Sequence, residues 1–134
     1  MEILNKYVKK INFETNKLKN QITQLEKEIA ALEKTKNQIQ KEYLQVEARQ
    51  LSNPQEIYMQ KMYLLELKEK IAYIELEKKK RENDLIPLKE ILAGKNAEKK
   101  AVKKYSDKKE KEFLKKELQK EIELASELFN RTGS

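Results

Sequence analysis

The stretch Leu51-Ser-Asn-Pro-Gln-Glu-Ile57 decides how this chain folds. Asn53 is a strong helix N-cap and Pro54 suits the first helical position. Glu56 falls where a capping-box acid would. Proline also pushes the residue before it out of the helical region. One helix must therefore end before Asn53 and another must start at Pro54.

The sequence on either side agrees. From Leu4 the apolar residues recur in alternating steps of four and three: Leu4, Val8, Ile11, Thr15, Leu18, Ile22, Leu25, Ile29, Leu32, Lys36, Ile39, Tyr43 and Val46. This is a heptad repeat, interrupted only by Thr15 and Lys36, and it marks a coiled-coil seam. After the corner a second series runs Gln60, Leu64, Leu67, Ile71, Ile74, Lys78, Arg81, Leu85, Leu88, Leu92. Folding the chain back at residue 53 brings the series into phase. Tyr43 meets Leu64, Ile39 meets Leu67, Lys36 meets Ile71, Ile29 meets Lys78 and Leu18 meets Leu88. Each polar seam residue in this run then faces an apolar one, along which its stem can lie while its charge reaches water.

The expected fold is all-α: a long antiparallel two-helix coiled-coil hairpin in a single domain over 1–134, with a longer, kinked second helix. The first helix should span about 3–50, the corner about 51–54 and the second helix about 54–130. Pro87 and Gly94 should disturb the second helix near 87–94, since proline removes a backbone donor and glycine weakens a helix by about 1 kcal/mol. Beyond Leu92 the heptads fade into an eleven-residue stripe of Ile91, Val102, Phe113 and Leu124. Leu4 pairs with Val102, so residues after about 103 should project as a single helix unless the chain folds back at Gly94. The final Asn-Arg-Thr-Gly-Ser reads as a frayed end.

Composition supports a thin seam rather than a globular core. Of 134 residues, 40% are charged and 38% hydrophobic, with two glycines, two prolines and no cysteine, histidine or tryptophan. Without cysteine there are no disulfides, which suits a reducing compartment. No apolar run is long enough to span a membrane, and Met1–Glu14 lacks the pattern of a secretory signal, so a soluble intracellular protein is expected. Without His or Cys, and with acids interleaved among lysines, no catalytic, cofactor-binding or metal residue is nominated and no enzyme is expected. The net charge is +7, and residues 95–121 hold eleven Lys against six acids. This run could contact phosphate, but its lysines alternate with carboxylates and only Tyr105 and Phe113 interrupt them. A solvated face or an acidic protein partner is therefore favoured over nucleic acid. Near the corner, Tyr43, Tyr58, Met59, Met62 and Tyr63 form an aromatic and methionine cluster. It reads either as local packing at the hairpin tip or as a partner site.

The two-helix plan with the longer second helix, Lys41-Glu-Tyr43, the stretch YLLELKEKI at 63–71 and the basic run KNAEKKAVKKYSDKKEKEFLKKELQKEIELASELFNR at 95–131 resemble the FliJ family of flagellar type III export proteins and the related YscO proteins of injectisomes. The resemblance implies a cytoplasmic, non-enzymatic stalk similar to the γ subunit of rotary ATPases, peripheral to a membrane-embedded export apparatus. Its implied partners are a hexameric export ATPase, the export gate protein and export chaperones. Gate contacts carry over onto Ile39, Tyr43, Tyr63 and Leu67. The basic region with Lys95, Lys99, Lys103 and Lys104 should enter the ATPase ring. The alternatives are a generic self-associating coiled-coil scaffold, such as a parallel dimer through the first helix, and a basic nucleic-acid-binding arm.

Overall fold

The computed structural model describes residues 2–132, the side chain of Thr132 excepted; Gly133 and Ser134 of the expected frayed end lie outside them. The fold is all-α. Helix α1 spans Glu2–Glu47 and α2 spans Pro54–Thr132, packed antiparallel as a two-helix hairpin. Packing divides the chain into two compact units, Asn16–Leu92 and Met1–Thr15 with Ala93–Ser134.

The corner lies in Asn16–Leu92 and is held as its sequence dictates at the start of α2. The Gln55 amide donates to Asn53 Oδ1 at 2.9 Å, and the Ile57 amide donates to the Asn53 carbonyl at 3.0 Å. This is the N-cap satisfying an otherwise orphaned donor. The end of α1 has no glycine and no basic residue in its last turn, yet its last carbonyls still need partners. The Ala48 amide donates to the Leu44 carbonyl at 3.1 Å and the Arg49 amide to the Val46 carbonyl at 3.2 Å, and Gln60 adds to them from the facing helix: its Nε2 donates to the Val46 carbonyl at 2.5 Å and to the Arg49 carbonyl, just past the helix, at 3.3 Å. A seam position of α2 thus closes α1. The helix ends at Glu47 rather than near residue 50, because the chain must turn before Asn53 can cap the next helix.

Every predicted seam position of α1 is buried or half-buried, and so is every one of α2 from Gln60 to Leu92. Ile22, Val46, Leu67, Ile74 and Leu85 form the core of this unit, with Leu67 at 1% exposure. The polar seam residues go further than the expected snorkelling. Lys36 reaches Glu75 at 2.5 Å, Lys78 donates to Glu33 at 2.8 Å, and Arg81 donates to Glu28 at 3.1 Å and to Glu77 at 2.9 Å. Three of these four contacts cross between the helices; the Glu77 contact is within α2. The Lys78 ammonium, with Lys36 beside it, holds the Glu33 carboxyl below its ordinary value, while Glu75 and Glu33 hold Lys36 and Lys78 above theirs.

In the other unit, Ile11 and Thr15 are buried, and Lys95, Lys99, Val102 and Ser106 are half-buried. The 4–3 spacing therefore continues past Leu92, carried by polar residues that a search for apolar positions passes over. Lys95 binds Glu14 at 2.6 Å and Tyr7 donates to Glu98. Ile91, Phe113 and Leu124 of the eleven-residue stripe are exposed, and only Val102 joins the packing. The helix passes unbroken through Pro87 and Gly94. Pro87 and Asn83, whose carbonyl loses its donor, are both exposed. Space around Gly94 is open. From Asp107 to Arg131 every residue is exposed.

Candidate functional site

In Asn16–Leu92, the residues nominated for gate contact divide by burial. Leu67, at 1% exposure, is buried in the seam. Its heptad position facing Ile39 is the reason. Ile39 is half-buried and lines a shallow cleft with Tyr73 and Ile74. Tyr43 is half-buried beside Leu44 and Ile71, with Lys68 Nζ at 5.6 Å from its ring centroid. Tyr63 is exposed, and its hydroxyl donates to the Glu42 carboxylate, which raises the Tyr63 pKa. The structure thus anchors Tyr63 on Glu42 and Tyr43 under Lys68.

A larger apolar surface lies on the far side of α2. Tyr58, Met62, Leu65 and Leu76 are all between 50% and 64% exposed. Positions 58, 62, 65, 69, 72 and 76 repeat in the same 4–3 steps as the seam, offset from it by two residues. At about 100° per residue, a two-residue offset carries them to the opposite face. Helix α2 therefore has two apolar stripes: one packs on α1 and the other, broken by Glu69, faces outward. Met59 beside it is also exposed, at 65%. The sequence carried this signal in the spacing Tyr58, Met62, Leu65, Ala72, Leu76, but the seam series masked it. An outward stripe of aromatic, Met and Leu side chains is what a partner helix or groove recognises.

The basic residues nominated for the ATPase ring lie in the other unit. Glu14 and Glu98 bracket Lys95 in the seam, and Glu14 chiefly holds its pKa up. Lys99 is a half-buried seam residue. Lys103 and Lys104 are exposed and project their charge to solvent.

Among the described residues no group of three or more His, Cys, Asp and Glu is placed to hold a metal ion, and no helix is long and apolar enough to cross a membrane. No protein-family model matches the chain, and neither a curated protein nor a solved structure matches it.

Proposed function

We propose that this protein is a non-enzymatic helical adaptor that works through protein contacts, as a stalk-like component of a flagellar or related type III export apparatus. The observation that carries the protein-binding part is the outward stripe of Tyr58, Met62, Leu65 and Leu76 on a helix that already has a separate buried seam. A two-helix hairpin needs only one apolar stripe per helix. A second one costs solubility and is explained by a partner that covers it. The export assignment rests on the resemblance of the two-helix plan, the 63–71 stretch and the basic 95–131 run to the FliJ and YscO proteins.

On this reading the outward stripe, together with Tyr43 and Tyr63, engages the export gate. Lys99, Lys103 and Lys104 steer the other unit toward the hexameric export ATPase. Charge accelerates such encounters without locking them. Export chaperones are further partners, and the protein acts in the cytoplasm at the periphery of the membrane-embedded machinery.

The test pairs two variants of the full chain with the cognate ATPase and the gate's cytoplasmic domain. Tyr58→Ala with Met62→Ala and Leu65→Ala removes exposed side chains only, so the helical circular dichroism should be unchanged. It should weaken gate binding at least tenfold and leave stimulation of the ATPase near normal. Lys103→Glu with Lys104→Glu should do the reverse. Wild-type protein that neither binds the gate nor promotes ATPase ring formation would remove the export assignment. Variants that each lose both activities while staying helical would remove the division of labour.

A further inference from the structure

We infer that residues 107–131 of α2 form an antiparallel homodimer with the same segment of a second copy of this chain. The inference is independent of the export assignment. It starts from a contradiction within the segment. Every residue from Asp107 to Arg131 is exposed, and the contribution of α1 here is a shallow cleft that Asn5 lines with Lys109, Phe113 and Lys116. Yet Leu114, Leu118 and Ile122, each close to 60% exposed, fall with Ala125 within about a quarter turn of one another, and Phe113 and Leu124 flank them. Helices in water are held mainly by burial of an apolar face rather than by propensity. The local ion pairs Lys109–Glu112 and Lys120–Glu117, at 3.8 Å each, are exposed and add little. An apolar face of this continuity calls for a partner helix.

Charge distribution selects the partner. Residues 107–116 carry five Lys against three acids, and residues 117–131 carry four Glu against one Lys and one Arg. The segment is therefore basic at its N-terminal half and acidic at its C-terminal half. A second copy laid antiparallel puts each basic half against an acidic half, twice over by symmetry. A parallel copy puts like against like. A two-fold pairing of this kind is isologous and closes on itself, so it ends at the dimer. The segment is long enough for a repeated contact: 25 residues of helix run about 37 Å, or about seven turns.

The dimer can be tested on the purified full chain by light scattering and sedimentation equilibrium. Wild-type protein should show twice its 16.0 kDa mass. Leu118→Asp with Ile122→Asp should return it to one chain's mass while circular dichroism keeps the helix content of the hairpin. The orientation is read from charge. Lys115→Glu with Lys116→Glu should weaken dimerisation at least tenfold, and adding Glu121→Lys with Glu123→Lys in the same chain should restore it. A parallel pairing predicts neither the loss nor the rescue, because reversing the charge of one half leaves like against like as before. Wild-type protein that remains a single chain up to about 100 µM overturns the inference and leaves the face to a different protein. A dimer that survives the Asp substitutions overturns it as well. If the Asp variant loses helicity throughout, Leu118→Ala with Ile122→Ala, which keeps helix propensity, decides: it should weaken the dimer at least tenfold.

Discussion

Truncating Leu67 to alanine tests both the seam and this residue's place in it. Leu67 is 1% exposed and sits on the face of α2 that packs on α1. The substitution removes about three carbon groups, worth roughly 2.4 kcal/mol at about 0.8 kcal/mol each. Buried Leu→Ala changes span about 2–5 kcal/mol, the upper end arising where a rigid cavity remains. A seam only two helices thick can close up or admit water, so the lower end applies and about 2–3 kcal/mol is expected. For a unit of this size total stability is about 4–12 kcal/mol, so roughly a sixth to three quarters of it would be lost. The assay is urea unfolding followed by circular dichroism, with Leu65→Ala as the control. Leu65 is two residues away but 53% exposed on the outward stripe, and its truncation should cost well under about 1 kcal/mol. A Leu67→Ala loss no larger than that of Leu65→Ala would refute the two-stripe description of α2. If Leu67 made only a partner contact, its truncation would weaken partner binding with stability intact.

Two further outcomes follow from individual side chains. Thr15 is 4% exposed and its hydroxyl has no hydrogen-bond partner, unlike Thr35, whose hydroxyl donates to the Ala31 carbonyl at 3.0 Å. Thr15→Val should therefore stabilise the protein by about 1–2 kcal/mol in the same unfolding assay, and a loss would show that the hydroxyl is satisfied in solution. Stability should also be flat across neutral pH, since there is no histidine. Glu14, Glu33 and Glu77 have folded pKa values lowered from 4.5, chiefly by Lys95, Lys78 and Arg81 respectively, so their contribution is present above 4.5 and is lost as pH falls through the lower folded values. Tyr7 and Tyr63 are raised from 10.0 by Glu98 and Glu42, and Lys36, Lys78 and Lys95 are raised from 10.5. Their contribution is present below those values and is lost as pH rises through the higher folded ones. A melting temperature that instead changes steeply between about pH 5 and 9 would contradict this assignment.

The sequence by itself determined the two helices, the corner and the seam. Asn53-Pro54 carries its instruction in a cap and a fixed φ, both local, and the 4–3 spacing of α1 specifies one face without reference to anything distant. The start of α2 at Pro54 and the burial of Thr15 and Lys36 in the seam were legible for that reason. The tertiary structure alone decided what each polar seam residue does. Whether Lys36, Lys78 and Arg81 lie along apolar neighbours or reach Glu75, Glu33 and Glu28 depends on residues flanking the seam of the other helix, whose positions are fixed only once the register is set. The same holds for Gln60, which reads as an ordinary seam residue until the turn brings the Val46 and Arg49 carbonyls within its reach. The candidate binding surface divides along the same line. The spacing of Tyr58, Met62, Leu65 and Leu76 is written in the sequence, but periodicity states only that residues share a face. Which of two apolar faces is buried depends on where the other helix packs, and that choice sent Leu67 inside and left the outward stripe to solvent.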